Sequence, residues 1–164
     1  MSAMRVLFVC TGNICRSPTA EAVLRHQVKA AGLGRRILVA SAGTIDYHAG
    51  EPPDARAQAA AHRRGYDLRR LRARQVQPRD FATFDYLLGM AEEHVTWLRD
   101  RAAPDQLQKI GLLLDYAPDV GRRDVPDPYY GVSQGFELVL DLVERAGEGL
   151  LDHLRRELSL RLRT

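Results

Sequence analysis

The first twenty residues constrain the fold most strongly, because an apolar run, a short polar loop and a helix start follow one another directly. Val6 to Val9 are all apolar, and the run predicts a strand at residues 5–9 that is buried on both faces. Ser17 is a good helix N-cap and Pro18 suits a first helical turn, so we predict a helix from Ser17 to about Gly32. A strand that passes into a helix in this way is typical of α/β proteins.

Strand and helix signals alternate along the rest of the chain. Apolar runs predict further strands at residues 36–41, 84–90 and 110–114. Capped or amphipathic segments predict further helices at residues 52–62, 91–101 and 133–158. We therefore predict an α/β fold of a single domain over residues 1–164, with a four-stranded parallel sheet, helices on both faces and a phosphate-binding loop after strand 1.

Composition and charge exclude several classes of protein. The 164 residues include 24 Lys or Arg and 21 Asp or Glu, so the formal net charge is only +3. The basic residues are not interleaved with aromatic ones, and we expect no nucleic-acid partner. No apolar run approaches the ~18 residues of a membrane span. The N-terminus does not resemble a signal peptide, and two cysteines are too few for a secreted disulfide framework, so we expect a cytoplasmic location.

The loop after the first strand carries the residues that would bind a phosphate group. Cys10 stands at the carboxyl end of that strand, and Arg16 follows six positions later at the start of the helix. Ligands of open α/β sheets bind at this end of the strands, where a short loop can turn its N–H groups around an anion. The predicted phosphate-binding residues are Thr11, Gly12, Asn13, Ile14, Cys15, Arg16 and Ser17.

The same surroundings act on the thiol of Cys10. Inward-facing N–H groups, a helix N-terminus and the guanidinium of Arg16 all favour the thiolate over the thiol. A thiolate is a strong nucleophile at neutral pH, and it could attack the phosphorus of a phosphate monoester held in the loop. Because N–H groups and Arg16 would offset the phosphate charge, we expect neither a metal nor a cofactor.

A known family carries the same pattern. The spacing Cys-X5-Arg alone is weak evidence, since a cysteine at a strand end is usually a small buried apolar residue. Residues 6–18 as a whole, however, closely resemble the signature of the low-molecular-weight protein tyrosine phosphatases. Further family blocks follow in order, at residues 41–44, 51–54, 80–86 and 127–131, so the resemblance covers essentially the whole chain.

The resemblance implies a role for each residue of the loop. Cys10 would be the nucleophile, and Arg16 would clamp the phosphate group. Asn13 would hold the loop in shape through a bond to Ser41. Ser17 would donate a hydrogen bond to the thiolate, a role that is compatible with capping the helix.

The general acid is not decided by spacing, which leaves four aspartates of one polar loop open: Asp115, Asp119, Asp124 and Asp127. One carboxyl group must protonate the leaving oxygen and later activate water. The family's acid is the aspartate of its Asp-Pro-Tyr motif, and the resemblance therefore selects Asp127.

Aromatic residues would form the walls of the substrate cleft. The resemblance places Tyr129 and Tyr130 on one wall and Tyr47 on the opposite one, where a deep slot favours phosphotyrosine over phosphoserine. Cys15 would be the partner of Cys10 in a reversible protective disulfide, or else a buried apolar residue.

One departure from the family leaves an alternative open. Thr11 stands where tyrosine-directed members usually carry an aliphatic residue, and it resembles the related protein-arginine phosphatases. Those relatives usually lack the pair Tyr129 and Tyr130, which favours phosphotyrosine. A protein-arginine phosphatase on the same scaffold is the alternative.

The resemblance also implies partners, which would be tyrosine-phosphorylated proteins, a tyrosine autokinase among them. We expect a monomer or a weak dimer. The five histidines are not spaced as metal ligands, and we expect them on the surface or on helix faces: His26, His48, His62, His94 and His153.

Overall fold

A four-stranded parallel sheet forms the centre of the molecule in the computed structural model, which describes residues 3–131 and 134–163. Its strands are β1 (Met4–Cys10), β2 (Ile37–Gly43), β3 (Tyr86–Gly89) and β4 (Ile110–Leu112). Their order in the sheet is β2-β1-β3-β4, and every pair is parallel. The predicted sheet is confirmed.

Helices connect the strands. They are α1 (Arg16–Ala30), α2 (Ala55–His62), α3 (Asp80–Thr83), α4 (Glu92–Arg101) and α5 (Gln134–Arg163). Short 3₁₀ helices lie at Pro104–Lys109, Leu113–Tyr116 and Pro118–Val120. None of the helices within the described ranges has the length and apolar character needed to cross a bilayer.

Strand β1 supplies side chains to two separate apolar cores. Val6 and Phe8 pack into the core that contains residues of α1 and α5. Leu7 and Val9 pack into the second core, with residues of α3 and α4. Because alternate side chains of a strand point to opposite faces, an unbroken apolar run is what a strand covered on both sides requires.

Several boundaries differ from the predicted ones. Helix α2 begins at Ala55 rather than at the prolines, because the Asp54 carboxylate accepts a hydrogen bond from the Arg56 N–H and caps it. Strand β4 ends at Leu112, where the chain turns into a 3₁₀ helix. Helix α5 continues five residues beyond the predicted end at 158, and its predicted first residue, 133, lies outside the described residues.

Two glycines let α5 pack closely against its neighbours. A Cβ at Gly149 would lie 1.9 Å from the carbonyl oxygen of Tyr116, and one at Gly147 would lie 2.1 Å from Gln27 Oε1. Glycine lowers helix propensity, so its presence within α5 is explained by these contacts.

Candidate active site

A cavity of about 180 Å³ opens at the carboxyl end of β1. Its lining combines the loop after β1 with residues of two other loops: Cys10, Thr11, Gly12, Ile14, Cys15, Arg16, Ile45, His48, Asp127, Tyr129 and Tyr130. Most of the predicted site residues therefore share one cavity, and the loop after β1 is its floor.

Asn13 holds this loop in shape from beneath. It is 2% exposed and has a φ of 59°, a left-handed conformation that asparagine tolerates better than most residues. Its Nδ2 donates to Ser17 Oγ at 2.8 Å and to Ser41 Oγ at 2.9 Å, and its Oδ1 accepts from the Arg74 N–H at 3.0 Å. The side-chain amide thus ties the loop to α1, to β2 and to the segment before α3.

Three carbonyl groups of the loop accept hydrogen bonds from backbone N–H groups outside the loop. Cys10 O accepts from the Thr44 N–H at 2.9 Å, Thr11 O from Ile45 at 3.2 Å, and Ile14 O from Asp54 at 2.8 Å. Among the described residues, no carbonyl of another turn or loop accepts from the N–H groups of residues 12–15, so these groups remain available to an anion in the cavity. Successive backbone N–H groups of this kind can form an anion-binding concavity.

The Cys10 thiol lies against the hydroxyl of Ser17, with 2.9 Å between Sγ and Oγ. Because Ser17 Oγ already accepts a hydrogen bond from Asn13, its own hydrogen can be donated to the sulfur. The prediction that Ser17 caps α1 is wrong: the helix begins at Arg16, after Cys15, and Ser17 is fully buried inside its first turn.

Arg16 connects the loop to the segment that carries the candidate acid. Its guanidinium is almost fully buried, and Nη1 donates to the carbonyl oxygen of Val125 at 3.0 Å. Nη2 lies 3.5 Å from Asp127 Oδ2. A buried arginine can thus present its remaining N–H groups to an anion in the cavity.

Of the four aspartates that spacing left open, Asp127 lines the cavity. Two of the other aspartates bind partners outside the cavity lining. The Asp124 carboxylate accepts a hydrogen bond from the Glu92 N–H at 2.9 Å, and Asp119 forms an ion pair with Arg145 at 2.9 Å. The carboxylate of Asp127 accepts from the Tyr129 N–H at 3.0 Å and is about half exposed.

The walls of the cavity agree only partly with the expected ones. Tyr129 and Tyr130 line it, whereas Tyr47, which is 79% exposed, is not among the lining residues. Ile45 and His48 stand there instead, and the His48 ring is 6.3 Å from that of Tyr129. Sequence reasoning missed both residues, since nothing in the turn before Glu51 indicates which side chain faces inward.

Cys15 is also in the cavity lining, and both cysteines are free thiols. Removal from water, together with the negative charges of Asp54 and Asp127, raises the pKa of Cys15 well above its usual range. Cys15 therefore stays protonated at neutral pH and is a poor nucleophile.

One of the five histidines lies on a helix, as the expectation allows, but its ring is buried against the loop after β1. His94 is 1% exposed, and its Nε2 lies 2.9 Å from Thr11 Oγ1. Burial and the positive charge of Arg16 lower the pKa of His94 to about 4, so the ring is neutral at pH 7. No sequence signal indicates this contact, because the two residues lie 83 positions apart.

Comparison with known proteins agrees with this geometry. The family model described as low molecular weight phosphotyrosine protein phosphatase matches residues 5–160. A low molecular weight protein-tyrosine-phosphatase of Streptomyces coelicolor is 47% identical over 159 residues, which are 94% of this chain and 96% of the relative.

Solved structures give the same result. The crystal structure of a protein tyrosine phosphatase from Entamoeba histolytica superimposes with a TM-score of 0.92 at 39% identity, covering 94% of this chain and 99% of that chain. A Drosophila arginine phosphatase superimposes with a TM-score of 0.86 at 33% identity, covering 92% of this chain and 98% of that chain.

Proposed function

This chain belongs to the low molecular weight phosphotyrosine protein phosphatase family, and from that premise we propose that it hydrolyses phosphotyrosine in proteins, as well as small aryl phosphates. One observation carries the proposal most directly. Cys10 and Arg16, at the two ends of the loop after β1, line the same cavity as Asp127, which comes from the distant loop before α5. A protein that only bound phosphate would need neither a nucleophile nor an acid.

Cys10 is the nucleophile in this proposal. Its thiolate attacks the phosphorus, an S–P bond forms, and the bond from phosphorus to the phenolic oxygen breaks. Asp127 gives its proton to the departing oxygen. The inward N–H groups of the loop and the guanidinium of Arg16 take up the charge of the phosphoryl oxygens.

The cysteinyl-phosphate is then hydrolysed. Asp127, now a carboxylate, takes a proton from a water molecule that attacks the phosphorus, and the S–P bond breaks. A hydrogen bond from the Ser17 hydroxyl to the sulfur, 2.9 Å away, stabilises the thiolate as the leaving group. Asn13 and Ser41 hold Ser17 and the loop in place.

Aromatic and apolar side chains give a substrate ring a surface to pack against at the cavity. Tyr129 and His48 are a tilted aromatic pair with ring centroids 6.3 Å apart, and Tyr130 and Ile45 also line the cavity. A phosphoserine side chain is too short to place its phosphate group at the loop while its backbone stays outside these walls.

Dephosphorylation of phosphoarginine is the second candidate function. Thr11 lines the cavity beside Cys10, where its hydroxyl makes the wall more polar than an aliphatic residue would. The similarity to the Drosophila arginine phosphatase points the same way. Tyr129 and Tyr130 support phosphotyrosine as the main substrate.

We further propose that residues 1–164 form one phosphatase domain, which acts as a monomer or weak dimer. Its substrates would be tyrosine-phosphorylated proteins, a tyrosine autokinase among them. A reducing compartment such as the cytoplasm suits an enzyme that depends on a free thiolate. Under oxidation, Cys10 and Cys15 could close a protective disulfide in the cavity.

The test compares two peptides of the same sequence, one with phosphotyrosine and one with phosphoarginine. We expect the purified protein to release phosphate from the phosphotyrosine peptide with the higher kcat/KM, and Cys10→Ser to abolish release from both. A higher kcat/KM for phosphoarginine would establish the second candidate. Failure to hydrolyse either peptide or 4-nitrophenyl phosphate would refute the proposed function.

A further inference from the structure

Within the described ranges, His94 is a buried polar residue to which neither the sequence nor the proposed chemistry assigns a task. It is the third residue of α4, which begins just after β3, the strand that pairs with β1. Its ring is 1% exposed and reaches the loop of the candidate active site at Thr11.

The hydrogen bonds of the ring determine where its proton lies. The Ala91 N–H lies 3.0 Å from His94 Nδ1, and an N–H group can only donate, so Nδ1 is the acceptor. A neutral imidazole whose Nδ1 accepts carries its hydrogen on Nε2. The ring therefore donates from Nε2 to Thr11 Oγ1, over 2.9 Å.

The charged groups around the ring keep it neutral. Burial and the Arg16 guanidinium oppose its protonation, while the carboxylates of Asp124 and Asp127 act in the other direction. Glu93 Oε1 lies 3.8 Å from Nε2 but is largely exposed to solvent. The balance favours the neutral ring at pH 7, so the direction of the bond to Thr11 is fixed.

A hydroxyl that accepts from His94 has its own hydrogen left to donate. Thr11 lines the cavity next to Cys10, and its carbonyl is already held by the Ile45 N–H. Within residues 3–131 and 134–163, no side chain or carbonyl accepts the hydroxyl hydrogen of Thr11. That hydrogen is available to a ligand in the cavity.

We propose that His94 is a positioning residue of the phosphatase: it holds the Thr11 hydroxyl so that its hydrogen points into the cavity and is donated to an oxygen of the bound phosphoryl group. The inference rests on the proposed function and deepens it. It gives Thr11 a role in binding the phosphate group and gives α4 a direct connection to the loop.

A purely structural role is the competing explanation. Ala91 has no side-chain acceptor for the N-terminus of α4, and the His94 ring supplies one by accepting from the Ala91 N–H. The two roles are separable by substitution. Asparagine at 94 can still accept from that N–H but is too short to reach Thr11, whereas glutamine can accept with Oε1 and donate with Nε2.

The experiment measures competitive inhibition by orthovanadate with 4-nitrophenyl phosphate as substrate. We expect His94→Asn and Thr11→Val each to raise the Ki roughly 3- to 10-fold, the effect of one lost hydrogen bond. His94→Gln should restore a Ki near that of the wild type. In the double variant the two effects should not add, because His94 acts through Thr11.

Several results would overturn the inference. They are an unchanged Ki in His94→Asn, fully additive effects in the double variant, and equal losses in His94→Asn and His94→Gln. A second measurement needs no activity: nitrogen-15 NMR of the unaltered protein at pH 7 should show a neutral His94 ring with its hydrogen on Nε2. A charged ring, or a hydrogen on Nδ1, would refute this inference while leaving the proposed function untouched.

Discussion

The guanidinium of Arg16 lies 3.5 Å from the carboxylate of Asp127, although one residue begins α1 and the other stands in the loop before α5. Arg16 also donates to Val125, two residues before the aspartate. A buried side chain of the phosphate-binding loop thus contacts the acid-bearing loop directly, at two points.

Replacing Asp127 by asparagine removes the proton that the leaving oxygen needs. We expect kcat to fall about 10²- to 10⁴-fold for phenyl phosphate, a substrate with a poor leaving group, and less for 4-nitrophenyl phosphate. Asp124→Asn is the matched control, since Asp124 bonds to Glu92 and does not line the cavity. Equal losses for both substrates, or a similar loss in the control, would assign the acid to another residue.

Arg56 does not line the cavity, but it binds the loop that carries Asp127. It forms a fork with Asp54, and its Nη2 also donates to the Tyr129 carbonyl at 2.9 Å. Arg69 forms an equivalent fork with Asp67, far from the cavity lining. We expect Arg56→Ala to lower kcat for phenyl phosphate about tenfold, because the variant loses one hydrogen bond that positions the loop. Arg69→Ala should leave kcat unchanged. Identical kinetics of the two variants would contradict this role.

Gly43 permits the end of β2 to approach the phosphate-binding loop. A Cβ at this position would lie 2.5 Å from Thr11 O and 3.2 Å from Asn13 N, both backbone atoms that cannot move without shifting the loop. We expect Gly43→Ala to lower the free energy of unfolding by about 1–3 kcal/mol and to abolish most activity. Gly34→Ala is the control, because nothing lies within 4 Å of its Cβ position. Urea unfolding measures the loss of stability, and turnover of 4-nitrophenyl phosphate measures the loss of activity. A Gly43→Ala protein as stable and as active as Gly34→Ala would contradict the prediction.

The buried His94 makes stability depend on pH. Its pKa is lowered from 6.5 to about 4 in the folded protein by burial and by Arg16. Between these values the unfolded chain binds a proton at His94 that the folded protein does not, so stability falls as the pH decreases from 6.5 to 4. The full effect is about 3 kcal/mol, and it is absent above pH 6.5, where the ring is neutral in both states.

Urea unfolding of the wild type and of His94→Asn, measured from pH 7 to pH 4, isolates this contribution. Other groups titrate in the same range, but they are common to both proteins. We expect the stability of His94→Asn to fall less steeply with decreasing pH. Parallel curves for the two proteins would show that His94 does not carry the effect.

The fold was largely predictable, because its main determinants are local. The apolar run of β1 and the alternation of strand and helix signals already define a parallel sheet with two covered faces. The boundaries were less predictable where a tertiary contact decides them. At Ser17, the hydroxyl bonds to Asn13 and faces Cys10 rather than capping α1, which a helix propensity cannot reveal.

Site residues that are adjacent in the sequence are easier to predict than those that lie far away in the sequence and are brought to the site by the fold. The Cys10-to-Ser17 loop follows from its own sequence, whereas Asp127 was selected among four aspartates by family resemblance alone. His48 and His94 were missed because a lone histidine has no spacing pattern. The sequence also does not determine which way Tyr47 points, because the direction of a side chain in a turn depends on its backbone conformation.

The rate at which iodoacetamide alkylates Cys10 at pH 7, measured by mass-spectrometric mapping with and without inorganic phosphate, tests the central claim most directly. We expect Cys10 to be modified faster than Cys15, whose raised pKa keeps it protonated, and we expect phosphate to slow the modification of Cys10. Faster modification of Cys15 than of Cys10, or a rate at Cys10 that phosphate does not change, would contradict the assignment of Cys10 as the nucleophile of a phosphate-binding loop.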